Sequence, residues 1–253
     1  MLLDRIDENL FEFYDFAASA AGRVISRHSA YSYVDLRPSP WTNAVYRLDF
    51  SADKNLPSAL PDGIRAETIP NKVRMGPTSR PADVEARLLA AGFTVERIAT
   101  GMTLDVRKRN RFKRPPNFTL AFLDSPKDYL DFAQIVVVEL FGKDAEMAPA
   151  FASLLNSMKG EKVFGLLGKA RGLPASAAYA FIDGAGVGGV YFVATDNRMR
   201  GLGYGRATVS VALDELARSS VRFAILHATD LGKPVYEHLG FIGACRLPLF
   251  SIP

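Results

Sequence analysis

A single cysteine in 253 residues, Cys245, excludes an internal disulfide and agrees with a reducing compartment such as the cytoplasm. Its plain reading is a small residue in a late strand. Only three histidines are present. No His-Glu-x-x-His, paired-cysteine or carboxylate-cluster spacing occurs, so no metal is expected. A Gly-x-Ser-x-Gly nucleophile elbow and a Walker loop are likewise missing. No apolar run approaches the ~20 residues that span a bilayer, so no membrane association is expected. Near the start stand Asp4, Asp7 and Glu8, where an export signal needs positive charge and an apolar core.

What is present is a globular composition, with 48% hydrophobic and 23% charged residues, in a length comfortable for two domains. The net charge of +4 is local. Arg107, Lys108, Arg109, Arg111, Lys113 and Arg114 supply six positives within one short segment, and the balance becomes −2 once they are set aside. Pro115 and Pro116 follow, and proline stops both helices and central strands. Residues 107–117 therefore read as a basic, proline-containing linker between a first domain, 1–106, and a second, 118–253.

Ile6, Leu10, Phe13 and Ala17 predict an amphipathic helix over Asp4–Ala21. Strands are expected at Ser32–Asp35, Ala44–Phe50, Lys72–Gly76 and Ala99–Val106, with a helix at Pro81–Ala91 and a loop over 51–64. Past the linker come a strand at Phe118–Leu123, a helix from Ser125-Pro126-Lys127-Asp128 to about Phe141, and a second helix over Asp144–Met158. The first of these carries a capping hydroxyl and a proline at its first position. Further strands are expected at Lys162–Leu167, Ala175–Ile182, Val190–Thr195 and Val221–His227. Gly184-Ala185-Gly186-Val187-Gly188-Gly189 matches the dinucleotide pattern Gly-x-Gly-x-x-Gly. It leads into strand sequence, Val190-Tyr191-Phe192-Val193, where that pattern requires a helix. It is a hairpin turn.

Arg200-Gly201-Leu202-Gly203-Tyr204-Gly205-Arg206 lies between a strand and a helix. Glycines on alternate positions uncover backbone N–H groups at a helix N-terminus, which suits an anion. Downstream, His227-Ala228-Thr229-Asp230-Leu231-Gly232-Lys233-Pro234-Val235-Tyr236-Glu237-His238-Leu239-Gly240-Phe241 reads as strand, short helix with a tyrosine, then Gly-Phe entering the last strands. The two segments, in this order and at this distance, resemble the signatures of the GCN5-related N-acetyltransferase (GNAT) superfamily, over Phe118 to Pro253. The resemblance implies an α/β (α+β) fold with a mixed, mostly antiparallel central sheet flanked by helices. Val73-Arg74-Met75-Gly76, a helix and Gly92-Phe93 echo the second signature, with Leu88 in the place of Tyr236. No Arg-x-x-Gly-x-Gly turn precedes residue 107. Residues 1–106 thus read as a smaller, degenerate GNAT-like copy without a cofactor site.

The same resemblance implies acetyl-CoA as co-substrate and an amine, small molecule or peptide, as acceptor. Main-chain groups of Leu202, Gly203, Tyr204, Gly205 and Arg206, with Gly201, would hold the pyrophosphate, and Val193, Ala194 and Thr195 would pair with the pantetheine. Arg200 and Arg206 either add charge to the phosphates or are solvated. Tyr236 stands where the family commonly has a tyrosine near the thioester sulfur, able to protonate the leaving thiolate. Thr229 replaces the asparagine often found seven residues earlier, leaving a hydroxyl for that contact. Glu139, Asp196 and His227 are candidate bases, and a water or no dedicated base serves equally well. A non-catalytic acyl-CoA-binding module is the alternative. Nucleic-acid binding through the basic run is disfavoured, because only Phe112 interleaves the charges.

Overall fold

The computed structural model describes residues 2–41, 43–52 and 56–252. Its elements run α1 (Arg5–Ala20), β1 (Ile25–Arg27), β2 (Ser32–Val34), β3 (Val45–Tyr46), α2 (Leu56–Arg65), β4 (Lys72–Arg74), α3 (Val84–Ala90) and β5 (Thr94–Asp105). After the basic segment come β6 (Phe118–Phe122), α4 (Pro126–Glu139), α5 (Ala148–Ser157), β7 (Val163–Ala170), β8 (Leu173–Ile182) and β9 (Gly188–Thr195). The chain closes with α6 (Tyr204–Arg218), β10 (Phe223–Ala228), α7 (Lys233–His238) and β11 (Ile242–Ser251).

These strands form one sheet in the order β1-β2-β3-β4-β11-β5-β10-β9-β8-β7-β6. Among the named strands of the described residues, only the β3–β4 and β9–β10 pairs are parallel. Each half hands its last strand to the other. β5 lies against β10, β11 lies against β4, and β5 and β11 pair antiparallel at the centre from Ile242↔Thr103 to Ser251↔Thr94. The sheet is therefore the mixed, mostly antiparallel one expected, and its continuity comes from this exchange.

Local chemistry accounts for most elements. Ser125 accepts the Asp128 N–H while the Asp128 carboxylate takes the Ser125 N–H, a reciprocal cap that starts α4 with proline at its first position. On α1 the predicted stripe Ile6, Leu10, Phe13 and Ala17 is buried. It joins one cluster with Phe132, Phe151 and Tyr191 from α4, α5 and β9. Val209, Leu213 and Leu216 of α6 pack on the opposite face with Leu226 and Tyr236. A third cluster gathers Leu60, Ile64, Val73, Leu88 and Phe93 under α2 and α3.

Several expectations need correction. The loop expected over 51–64 contains α2, whose residues Leu60 and Ile64 are buried one turn apart while Pro57, Pro61 and Gly63 disguise it. β3 is much shorter than the expected Ala44–Phe50, and β5 begins at Thr94 instead of Ala99. α4 ends at Glu139, a 3-10 turn precedes α5, and the last strands are the single strand β11.

The glycine-rich segment forms the β8–β9 hairpin, as expected, with the connection over 183–187 and with Gly188 and Gly189 already opening β9. Asp183 holds it: its Oδ1 accepts the N–H groups of Ala185 and Val187 at 2.9 Å, and its Oδ2 accepts from Arg5 and Asn9 of α1. A Cβ on Gly189 would overlap Asn9 Oδ1, so the glycine exists to let α1 approach β9. Tyr191 O–H donates to the same Asn9 oxygen at 2.6 Å.

Candidate active site

β9 and β10 pair only at Gly188↔Ala224 and Gly189↔Ile225, then diverge. The cause lies in β9. Between Tyr179↔Tyr191 and Ala177↔Ala194 the β8–β9 register slips by one residue, and Phe192 within the slip has φ of +51°. That is a β-bulge, which turns a strand away from its neighbour. Edge-on rings of Trp41 at 5.0 Å and Phe151 at 5.1 Å hold Phe192 in this left-handed conformation. The result is a wedge between two parallel strands, opening where their C-terminal ends separate.

The wedge widens into a cavity of about 780 Å³. Val193, Ala194, Thr195, Arg200, Gly201, Gly203, Tyr204, Gly205, Arg206, Thr229 and Tyr236 all line it. Leu202 does not, since its side chain is exposed. Gly201 and Gly203 both take positive φ, +79° and +82°, which lets the chain turn tightly into α6. Ala207 N–H is the first to find a carbonyl, that of Gly203. Among the described residues the N–H groups of Gly201 to Arg206 have no acceptor. These are the orphan donors of a helix start, and here they border a cavity.

The two arginines of the loop differ. Arg200 donates to Glu139 Oε2 at 2.7 Å and to the Thr195 carbonyl at 3.3 Å. Arg206 lies with its guanidinium 3.8 Å over the Phe112 ring, and its buried Nε has no partner among the described residues. Phe112 thereby ties the basic segment to the loop, helped by Arg109, which donates to Asp214 of α6 at 2.8 Å. Gly205 sits against Thr195, whose Oγ1 would be 2.6 Å from an added Cβ.

Tyr236 is buried, and its ring meets Phe241 edge-on at 6.1 Å. Its hydroxyl has no hydrogen-bond partner among the described residues, and burial pushes the phenol above its ordinary value. It is a neutral O–H facing a cavity. Thr229 Oγ1 accepts the Gly232 N–H at 3.2 Å and so caps the turn into α7.

The three candidate bases are distinct in character. Asp196 caps the 3-10 turn after β9 and accepts from Arg198, which holds its carboxyl below the usual range. Glu139 is engaged by Arg200 and by the Asn197 N–H. His227 lines the cavity, and its Nε2 is 2.7 Å from the Ile6 carbonyl. A carbonyl only accepts, so Nε2 carries the proton and Nδ1 keeps a lone pair. Burial pushes its pKa down to about 4, leaving the ring neutral.

Sequence reasoning missed the other end of the cavity. Asp7, Phe11, Trp41, Arg74 and Arg97 line it from the N-terminal half, with Leu247 and Leu249 of β11. No motif spacing joins these residues; only the sheet order does. Cys245 lies in β11 beside Gly101, with burial raising its thiol to about 11, which makes it unreactive.

No family model and no curated protein sequence matches the chain. Solved structures do. A GCN5-related N-acetyltransferase from Kribbella flavida superposes with a TM-score of 0.70 at 14% identity, covering 94% of this chain and 95% of that one. The fold is that of the GCN5-related N-acetyltransferases. A tandem GNAT protein from the clavulanic acid biosynthesis pathway aligns at TM-score 0.62 and 12% identity over 87% of this chain and 77% of its own. A GCN5-related N-acetyltransferase from Sphaerobacter thermophilus gives 0.64 and 18% over 87% and 76%. These matches cover both halves, and the tandem protein extends the GNAT likeness to a two-part arrangement.

Proposed function

We propose that the chain is an N-acetyltransferase that moves an acetyl group from acetyl-CoA to an amine. The observation that carries this reading is the row of N–H groups from Gly201 to Arg206, without acceptors among the described residues and set at the mouth of the β9–β10 wedge. Such donors at a helix N-terminus fit a pyrophosphate. The β9 edge at Val193, Ala194 and Thr195, left without β10 as partner, offers main-chain groups to the pantetheine amides. Thr229 adds a hydroxyl, and Arg200 and Arg206 add positive charge beside the loop. Acetyl-CoA supplies the activated acetyl thioester.

On this reading Tyr236 gives its proton to the leaving sulfur, a role suited to a phenol kept neutral by burial. His227 offers the cavity a neutral ring whose free Nδ1 can accept a hydrogen bond from the acceptor amine, while burial keeps it too weak a base to draw a proton from an ammonium. We read residues 118–253 as the catalytic domain, 107–117 as the linker and 1–106 as a degenerate copy that builds the acceptor end, in a cytoplasmic protein. The test is calorimetry with acetyl-CoA followed by free-thiol release across an amine panel. One molecule bound per chain with thiol release supports the enzyme. Binding with no release under any amine returns the non-catalytic acyl-CoA-binding module.

A further inference from the structure

Arg74 of β4 and Arg97 of β5 are both registered against Leu249 of β11, the strand between them. Residues directly opposite in an antiparallel ladder share a face. The row Arg74-Leu249-Arg97 therefore points to one side of the sheet, with the two outer backbones about 10 Å apart at ordinary strand spacing. All three residues line the cavity. The exchange of terminal strands makes this row, because β11 sits between β4 and β5 only in the exchanged sheet.

Neither arginine makes an ion pair among the described residues. Arg74 donates to Tyr14 Oη at 2.7 Å, a neutral partner. Arg97 makes no hydrogen bond among the described residues and remains exposed. Its neighbour in sequence, Glu96, pairs with Lys72 instead. The carboxylates that do line the cavity are engaged elsewhere. Glu139 holds Arg200, and Asp7 accepts the Thr78 N–H and hydroxyl. The residue as a whole reaches solvent, but partial desolvation of its guanidinium end, and then the charge of Arg74, hold that group below its usual value. Two like charges lining one cavity, neither of them in an ion pair among the described residues, repel each other, and an anion received between them would relieve that repulsion.

Resting on the proposed acetyl transfer, we propose that the acceptor is an amine that also carries an anionic group, carboxylate or phosphate, which Arg74 and Arg97 bind. The row lies four residues along β5 from Gly101, the residue registered against His227, a rise of about 13 Å. Allowing for the reach of both arginines, several bonds separate amine from anion in a fitting acceptor.

The test uses matched pairs that differ only in the anionic group. These are ω-amino acids of increasing length against their amides, and phosphorylated amino alcohols against the parent alcohols. In the wild-type protein with acetyl-CoA, the anionic members should show kcat/KM at least about 10-fold above their mates, as one charged hydrogen bond warrants. Arg97→Gln should remove that advantage and Arg97→Lys should return part of it, with the Kd for acetyl-CoA unchanged in both. Preference for the carboxylate or the phosphate series names the group. Equal or better use of the neutral members, or a ratio unmoved by Arg97→Gln, overturns the proposal. Should acetyl-CoA fail to bind, the acetyltransferase reading falls by itself. The same pairs then test the arginines by saturation-transfer NMR, where selective binding of anionic members lost in Arg97→Gln supports the site, and equal or no binding overturns it.

Discussion

Two stretches of the chain fold into one local design. β4 passes through α3 and out at Gly92-Phe93 into β5; β10 passes through α7 and out at Gly240-Phe241 into β11. The helix exits agree bond for bond. Phe93 N–H reaches the Leu88 carbonyl and Phe241 N–H the Tyr236 carbonyl, each at 3.1 Å, and both glycines are left-handed at φ +90° and +98°. This is the six-to-one closure of a glycine-capped helix. The likeness extends upstream, since β3-α2-β4 and β9-α6-β10 are both parallel crossovers. The two then part. Three glycines stand between β9 and the first turn of α6, whereas no glycine occurs from Arg47 to Asn55, ahead of α2. Leu88 is wholly buried in a core where Tyr236 borders a cavity. At this shared position one scaffold thus serves packing in the first half and borders a cavity in the second, and the difference rests on a few side chains and one turn.

The position shared by Leu88 and Tyr236 gives the sharpest test of that difference. Tyr236→Phe keeps the ring and its contact with Phe241 while removing the only polar atom. It should lower kcat by about 10²–10⁴-fold, with little change in the KM for acetyl-CoA. Steady-state thiol release checks this, and near-normal turnover would make Tyr236 a packing residue like Leu88. Leu88→Ala should do the reverse. Deleting a fully buried leucine costs about 2–5 kcal/mol of stability, read as a fall in the urea midpoint, while the acetyl-CoA Kd measured in the folded protein stays constant.

How much of this was legible beforehand follows from the range of the interactions. The cap at Ser125, the stripe on α1 and the glycine turn into α6 are written within four to eight residues of sequence, and each was readable. The α2 helix was not, because Pro57, Pro61 and Gly63 speak against a helix while its stabilisation comes from Leu60 and Ile64 meeting the β4 and α3 core. The early start of β5 was hidden by Glu96 and Arg97, two adjacent charged residues within the strand. Strand exchange pairs residues about 150 apart, so no local pattern could carry it. For the same reason the loop residues that line the cavity are readable from sequence, and the arginine row is not.

The loop is the second point of contrast. Gly201 has no atom within 4 Å of an added Cβ, so a side chain there enters open space beside the orphan N–H groups. Gly201→Glu should weaken acetyl-CoA on the order of 100-fold, through repulsion at the phosphate seat. Gly201→Ala, which carries only the left-handed strain of about 1–2 kcal/mol, separates charge from conformation. Calorimetry on both variants decides. A glutamate that binds acetyl-CoA as well as the alanine does would show that the loop is a helix cap and that the two halves differ less than the glycines suggest.

The smallest effect lies where the halves meet under α1. His227 of β10 donates to the Ile6 carbonyl, and the adjacent Asp7 accepts from Thr78 of the first half. Burial lowers His227 to about 4 and raises Asp7 to about 6. The signs oppose. As pH falls below 6.5 the unfolded chain protonates its histidine while the folded one does not until about 4, so His227 makes folding less favourable on acidification. Asp7 keeps a proton in the folded state from about 6 downward, while the unfolded chain takes one only near 3.8, so it makes folding more favourable over nearly the same window. Each contributes at most about 1.4 kcal/mol per pH unit, and together they should leave the wild-type protein almost flat from pH 6 to 4 as far as this seam is concerned. Single substitutions uncover the parts. His227→Gln, which preserves an N–H for Ile6, should gain stability relative to wild type as pH falls from 6 to 4.5. Asp7→Asn should lose it over the same interval. Urea midpoints at the two pH values measure both, and parallel behaviour of all three proteins would mean that neither group is shifted and that α1 closes the seam by apolar packing alone.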